Sequence, residues 1–412
     1  MSQATYGEFT VKVHERVQEQ GRVPLNVALE ITHRCPLTCA HCYNNLPMAD
    51  REAAQRELTV EEYKRLLDEL HDMGTFWLLF SGGEPFARKD FLEIYTYAKQ
   101  KGFLITIFTN GTILTPAIAD HLAEWPPFAI EITLYGHTRE TYERLTGQPG
   151  SYDRCRRGID LLLERKLPLK LKTVPTSINR HEVLDMQEFA AGLGVEFKYD
   201  AQVNPRTDCS QSPLAVRLRP EEVVALEYAD PRRRAEYRRL LDKDLAQGVL
   251  PPSDDLYFCG GGVNACAVDP YGNLSICVIS HQDHYNLREG SFAEGWNRAL
   301  LSVRKKKRIR ATKCQTCQIQ SLCGMCPANG ELESGDPETP VEFLCEVAHL
   351  RAVALGAEVP AHGKCDFCAG GSRHEHLLNT AADLPAIGEA MQAPPLLPVL
   401  NQTGSSCQGR CS

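Results

Sequence analysis

The sequence predicts an α/β protein built on a parallel sheet and followed by a smaller, cysteine-rich domain. Three observations carry that prediction. Short β-rich runs alternate with helical patterns from residue 24 to about 205. The chain holds 17 cysteines, and most fall into a few groups with ligand-like spacing. Residues 257–350 are rich in glycine and cysteine, and their elements are too short to bury much apolar surface without cross-links or metals. At 412 residues there is room for two or three domains, and 43 % apolar with 24 % charged residues is a soluble, globular balance. A net charge of −8 gives no reason to expect a nucleic-acid partner. The N-terminal "MSQATYGEFTVKVHERVQEQ" has no apolar signal core, and no apolar run approaches the ~20 residues that span a bilayer. The expectation is a cytoplasmic protein with no membrane partner, where clustered thiols bind metal more often than they pair as disulfides.

Residues 1–23 form an N-terminal extension. The candidate strands of 24–205 are "LNVALEI" (25–31), "FWLLF" (76–80), "FLITIF" (103–108), "FAIEITL" (128–134), "LKLKTV" (169–174) and "VEFKY" (195–199). The clearest helix, "LTVEEYKRLLDELHDMG" (58–74), opens with Thr59 and Glu62 in a capping-box relation and ends at Gly74. "SYDRCRRGIDLLLERK" (151–166) is another. Strand–helix alternation implies parallel strands and right-handed crossovers, in either an open doubly wound sheet or an incomplete barrel. Residues 206–256 are charged and helical, and bridge to the cysteine-rich domain at 257–350. Residues 351–412 form a C-terminal extension. Its 370–412 part, ending "APPLLPVLNQTGSSCQGRCS", reads as poorly ordered or as a docking tail.

"THRCPLTCAHCYNN" (32–45) places Cys35, Cys39 and Cys42 directly after the first strand, at the end where parallel α/β folds carry their active sites. Three thiolates on a [4Fe–4S] cluster leave one iron open to a small chelating molecule, which suggests catalysis rather than structure. A zinc ion completed by His33 or His41 is the competing reading, although the close spacing matches no common zinc pattern. A second motif, "SGGEP" (81–85), ends the second strand.

These two motifs, in order and in register with strands, resemble the radical S-adenosylmethionine (SAM) superfamily. The resemblance implies a partial (β/α)6 TIM-like barrel, with the amino and carboxylate groups of SAM on the open iron. It implies that Gly82, Gly83 and Glu84 line the amino group, the glycines letting backbone approach the methionine moiety. "FTNGT" (108–112), with Asn110, and "EITLYG" (131–136), with Thr133 where serine is common, resemble the adenine- and ribose-side segments. Lys170 and Lys172 share one face of their strand by its period of two, and Lys172 is a candidate for the SAM carboxylate. A solvated strand end is the alternative. His41 keeps a ring at a position where the family usually has an aromatic residue.

Further on come Cys259, Gly272 and Cys277, then Cys314, Cys317, Cys323 and Cys326, then Cys345. This resembles the SPASM extension of radical SAM enzymes, except that two residues rather than three separate Cys323 from Cys326. Cys266 is an eighth thiol. By resemblance, Cys259, Cys266, Cys277 and Cys326 hold one auxiliary cluster, and Cys314, Cys317, Cys323 and Cys345 the other. Two zinc knuckles are the alternative. Cys365 and Cys368 with Cys407 and Cys411 could form a further metal site, be free thiols of a tail, or mimic a cysteine-rich substrate. Cys155 reads as packing, and Cys209 as a loop thiol of no special role or one facing the active-site mouth. The run "RKKKRIR" (304–310) reads as a solvated helix face or an attractor of an acidic peptide, and the histidines at 281, 284, 374 and 376 show no metal-like companions.

The resemblance implies SAM and three [4Fe–4S] clusters as cofactors, with reductive cleavage of SAM to a 5′-deoxyadenosyl radical. It also implies a ribosomally made peptide or protein as substrate, gaining a thioether or carbon–carbon cross-link or an oxidised side chain. A flavodoxin- or ferredoxin-like donor would supply electrons. About thirty residues precede Cys35, too few for a fused peptide-recognition domain, so a leader peptide would need the SPASM surface, a separate recognition protein or the tail. Sulfatase-type maturation is the second enzyme reading, though Val278 follows Cys277 where those enzymes carry an aspartate base. Oxidation of a small alcohol is a third. Outside the enzymes stands a non-catalytic iron–sulfur electron carrier.

Overall fold

The computed structural model describes residues 21–248, 253–280, 283–359 and 361–394. Six parallel strands occupy the expected places: β1 Asn26–Thr32, β2 Trp77–Gly82, β3 Leu104–Thr109, β4 Ala129–Thr133, β5 Leu169–Thr173 and β6 Glu196–Tyr199. They pair in chain order, β1 through β6, with every pairing parallel. Alternate residues such as Ile105 and Ile107 are fully buried under the helices, while their neighbours face the inside of the curved sheet half-buried. The architecture is the partial (β/α)6 barrel.

The crossover helices close the outer face because their apolar residues fall on one stripe. In α1 (Val60–Asp72), Tyr63, Leu66, Leu67 and Leu70 are buried, and the Thr59/Glu62 capping box starts the helix. In α2 (Phe91–Gln100) the buried set is Phe91, Ile94, Tyr95 and Ala98. Each large side chain buried this way contributes about 1.5–3 kcal/mol.

The sheet continues past β1. Strand β7 (Ala265–Val268) pairs parallel to β1, with Cys266 opposite Val27. Strands β8 (Asn273–Ser275) and β9 (Tyr285–Asn286) then add antiparallel. The first part of the cysteine-rich segment is therefore built onto the barrel's own sheet.

Two helices form the bridge, α3 (Pro220–Ala229) and α4 (Pro231–Gln247), and Asp230 caps the start of the second through Arg232 N. Helix α5 (Glu342–Ala354) follows the cysteine-rich loops, and α6 (His374–Met391) packs on α3 and α5. Arg351 of α5 grips Glu227 of α3 through two nitrogens, at 2.8 and 2.6 Å. Helix α6 corrects the expectation for 370–412: Leu377, Leu384 and Met391 are buried, so 374–391 is a packed element. Pro385 inside it disguises the pattern. Residues 395–412, with Cys407 and Cys411, lie outside the described residues, as does His281.

The basic run 304–310 is not a solvated helix face. Its helix ends at Arg304, after which Lys306 pairs with Asp283, Lys307 with Asp255 and Arg310 with Asp336. Among the described residues no helix is long and apolar enough to cross a membrane.

Candidate active site and metal centres

Cys35, Cys39 and Cys42 lie on the loop at the C-terminal end of β1. The loop is tied to the barrel by Thr38 N to Thr146 O (2.9 Å) and Ala40 N to Leu145 O (3.1 Å). Leu37 N and the Asn110 amide donate to Cys35 Sγ, at 3.4 and 3.5 Å. The Tyr135 hydroxyl hydrogen-bonds Cys39. Burial and then the Glu84 carboxylate push the Cys35 thiol up to about 12. Burial and the two neighbouring thiols push Cys39 up, and burial raises Cys42. Cys35 is buried and Cys39 and Cys42 half-buried, and a bound cluster would supply the positive charge that favours their thiolates.

Neither histidine completes a zinc site here. His33 turns to Glu30 (3.3 Å) and stands edge-on to Tyr271. Burial lowers His41 to about 4, and its ring lies against Tyr135. Among the described residues, only His349, His362, Cys365 and Cys368 gather ligand atoms closely enough for a single ion.

The glycines of the second motif let two backbones meet. A Cβ on Gly82, whose φ is +120°, would overlap the Thr32 carbonyl oxygen. One on Gly83 would lie 2.6 Å from the Arg34 carbonyl oxygen. The pair lets the ends of β1 and β2 close against each other, backbone on backbone. The fully buried Glu84 carboxylate accepts from Thr109 Oγ1 (2.8 and 2.9 Å), Asn110 N (2.8 Å) and Phe86 N (3.3 Å). It therefore ties the second motif to the end of β3, and burial pushes it up to about 7. Asn110 is directed at Cys35 and at Thr112, which donates to its Oδ1 from N (2.8 Å) and Oγ1 (2.6 Å).

Thr133 ends β4 opposite Lys172 of β5. The Lys172 ammonium lies 3.3 Å from Glu131 and over the Phe108 ring, and burial lowers it to about 7. Lys198 meets the same Glu131 at 2.8 Å. Lys170 instead pairs with Glu196 at 2.6 Å near the outer strand.

The later cysteines divide into two groups. Cys259, Cys277 and Cys326 influence one another electrostatically, as do Cys314, Cys317 and Cys323. Cys323 and Cys326 thus face different groups despite the shortened spacing between them. Cys345 lines a cavity of about 30 Å³ with Cys314, Cys317 and Cys323. A larger cavity of about 320 Å³ lies between the groups, lined by Phe258, Cys259, Arg308, Cys323 and Cys326 among others. Cys266 stands apart from both groups, whereas the resemblance implies a place in the first set. A tight Gly260–Ala265 turn feeds it into β7, where burial raises its thiol and only Arg22 opposes that. Cys155 is buried in its helix as expected.

A model of the radical SAM superfamily matches residues 29–190. The PqqA peptide cyclase of Rhodopseudomonas palustris is 31 % identical over 348 residues, covering 78 % of this chain and 86 % of the relative. The chain belongs to the radical SAM superfamily. The mycofactocin maturase MftC of Mycobacterium tuberculosis is 27 % identical over 343 residues, covering 76 % of this chain and 82 % of the relative. The AdoMet-dependent heme synthase of Methanosarcina barkeri is 26 % identical over 331 residues, covering 76 % and 94 %. Two solved structures share the fold. Streptococcus suis SuiB bound to precursor peptide SuiA has a TM-score of 0.60 at 15 % identity, covering 82 % of this chain and 80 % of that one. The enzyme anSMEcpe with bound AdoMet has a TM-score of 0.59 at 14 % identity, covering 90 % and 100 %. This radical SAM enzyme carries its cysteine-rich SPASM-type region at the C-terminal side of the barrel.

Sequence reasoning missed several residues of this radical SAM site. Arg206 donates to the Cys42 carbonyl (3.2 Å), to Asn45 Oδ1 (2.8 Å) and to Asn45 O (2.8 Å), clamping the cluster loop. Its contact spans the whole barrel, so no local signal announces it. Cys209 sits on the same loop, one turn further on. His349 and His362 gather with Cys365 and Cys368, and His362 stands three residues before Cys365, a spacing that could have pointed to it.

Proposed function

We propose that this radical SAM enzyme modifies a side chain of a ribosomally made peptide or protein, by cross-linking or oxidation. The observation that carries the reading is the three-thiol loop beside the Gly82–Gly83 turn, with two further thiol groups beyond it. When bound, SAM and its [4Fe–4S] cluster supply a 5′-deoxyadenosyl radical that removes a substrate hydrogen atom. In this reading Cys35, Cys39 and Cys42 hold that cluster, Asn110 and Leu37 N support Cys35, and Tyr135 supports Cys39. Gly82 and Gly83 contribute backbone to the SAM amino group, with Glu84 fixing their turn. Thr133 and Lys172 form the barrel wall on the ribose and carboxylate side. Two auxiliary clusters would use Cys259, Cys277 and Cys326, and Cys314, Cys317, Cys323 and Cys345. The first set has an open place that a substrate thiolate or another ligand would fill. An external flavodoxin- or ferredoxin-like donor would supply electrons, and a separate recognition protein would bring the peptide.

The PqqA cyclase and mycofactocin maturase names favour a peptide. The heme synthase of Methanosarcina barkeri matches over a larger share of its own length and favours a heme precursor as the second reading. Anaerobic reduction with SAM is expected to yield 5′-deoxyadenosine, and Cys39→Ala to abolish it. Absence of the nucleoside from the wild type would leave an electron carrier instead. Offered a short peptide encoded beside it and, separately, a heme precursor, the enzyme should strip two hydrogens from the peptide alone. Turnover of the heme precursor alone would reverse the choice.

A further inference from the structure

Cys365 and Cys368 lie just ahead of the packed helix α6, not in a loose tail. The side chains of His349, His362, Cys365 and Cys368 are all buried, and their ligand atoms lie within 4.8 Å of one another. We infer that these four residues form a structural zinc site that fastens the C-terminal helix to the SPASM region.

The spacing of the ligand atoms supports a single ion. His349 Nε2 lies 3.3 Å from Cys368 Sγ and 3.6 Å from Cys365 Sγ, and His362 Nδ1 lies 3.2 Å from Cys368 Sγ. Tetrahedral zinc with ordinary bond lengths puts a sulfur and a nitrogen ligand about 3.5 Å apart. A two-iron cluster with mixed ligands would set its cysteine pair and its histidine pair on different irons. Here each histidine nitrogen stands against a cysteine sulfur, so one ion serves both pairs. Two thiolates and two neutral imidazoles also balance the charge of a divalent ion, which matters where all four side chains are dry.

The surroundings hold the ligands in place. His349 Nδ1 lies 2.7 Å from the Cys345 carbonyl oxygen, to which it donates, leaving Nε2 unprotonated and directed at the cysteines. The Cys365–Cys368 loop turns back so tightly that a Cβ on Gly371 would lie 2.6 Å from the Cys365 carbonyl oxygen, and Gly371 N bonds Cys368 O at 2.8 Å. This is a knuckle that only glycine can close. The Cys345 thiol hydrogen-bonds Cys365 from the side facing Cys314 and Cys317, so it stands beside the zinc site as a member of the neighbouring set.

The consequence follows from connectivity. His349 belongs to α5, while His362 and the knuckle lead directly into α6. One ion therefore joins the start of α6 to α5, four residues from Cys345, and steadies the wall of the second auxiliary group.

The full-length chain, purified anaerobically and passed over a chelating resin, should carry one equivalent of zinc beside its iron. Zinc-edge X-ray absorption should show two sulfur and two nitrogen ligands. Cys365→Ala with Cys368→Ala should lose the zinc and keep the iron, whereas Cys345→Ala should lower the iron and keep the zinc. A first shell of four sulfurs, iron lost with the Cys365/Cys368 pair, or a wild type without zinc would each overturn the assignment. The absorption spectrum of the wild type decides even where the double variant fails to fold.

Discussion

Gly83 shows how much of this site depends on a missing atom. Its Cβ would approach backbone atoms of His33 and Arg34 on the cluster loop, which have no side-chain rotamer to yield. Gly83→Ala should therefore cost about 3 kcal/mol and displace the loop, read as a lower melting temperature and reduced iron content. Gly192, with nothing near its Cβ position, is the matched control, and Gly192→Ala should leave both unchanged or slightly improved. Lys172 offers a test by pH. Burial lowers its ammonium from 10.5 to about 7, with Lys198 adding to the shift and Glu131 opposing it. Between those values the unfolded chain binds more protons at this residue than the folded one, so its contribution to stability rises with pH across that window. Lys172→Met should remove that rise from denaturant melts run between pH 7 and 10. In the wild type, amine labelling read by mass spectrometry should reach its midpoint at Lys172 near pH 7. A midpoint near that of ordinary lysines would refute the shift.

At the scale of elements, the loop between Cys259 and Cys277 decides which thiols meet. The tight turn at Gly260–Ala265 returns the chain into β7, and pairing with β1 commits Cys266 to the sheet. Cys326 starts the next helix (Pro327–Ser334) from its N-cap and faces Cys259 and Cys277. Cys326→Ala should accordingly lower iron by about one auxiliary cluster, measured by iron and sulfide content after reconstitution. Cys266→Ala should leave the iron count intact and cost only the packing of a small buried side chain, about 1 kcal/mol. Equal iron loss in both variants would return Cys266 to the ligand set. The loop carrying Arg206 is the matching device at the active site. Arg206→Ala should release the Cys42 carbonyl and lower SAM cleavage more than it lowers the melting temperature.

Across the whole molecule, β7–β9 and the helices of the bridge make the barrel and the SPASM region one packed body. Helix α6 seals it: Leu377, Leu384 and Met391 are buried along the helix that packs on α3 and α5. A chain stopped after residue 373 should lose several kcal/mol of stability, with the burial of three large apolar side chains forfeited.

The six barrel strands, the capped α1, the Cys35–Cys42 triplet and the Gly82–Gly83 turn were all legible in the sequence. Each is written in a few adjacent residues, as an apolar period, a capping pair or a fixed spacing, and such local signals survive whatever packs around them. The partners of the distant cysteines were not legible. Which of eight thiols converge depends on how loops fold over β7 and α5, so the resemblance put Cys266 with Cys259 and Cys277, whereas the fold holds it in a strand beside β1. The companions of Cys365 and Cys368 were hidden for the same reason: His349 enters from a helix, and only its packing brings it to the knuckle. By itself the sequence determined the chemistry at the end of β1. The tertiary structure decided which ligands gather beyond it, because a metal site is set by directions in space that the order of residues does not record.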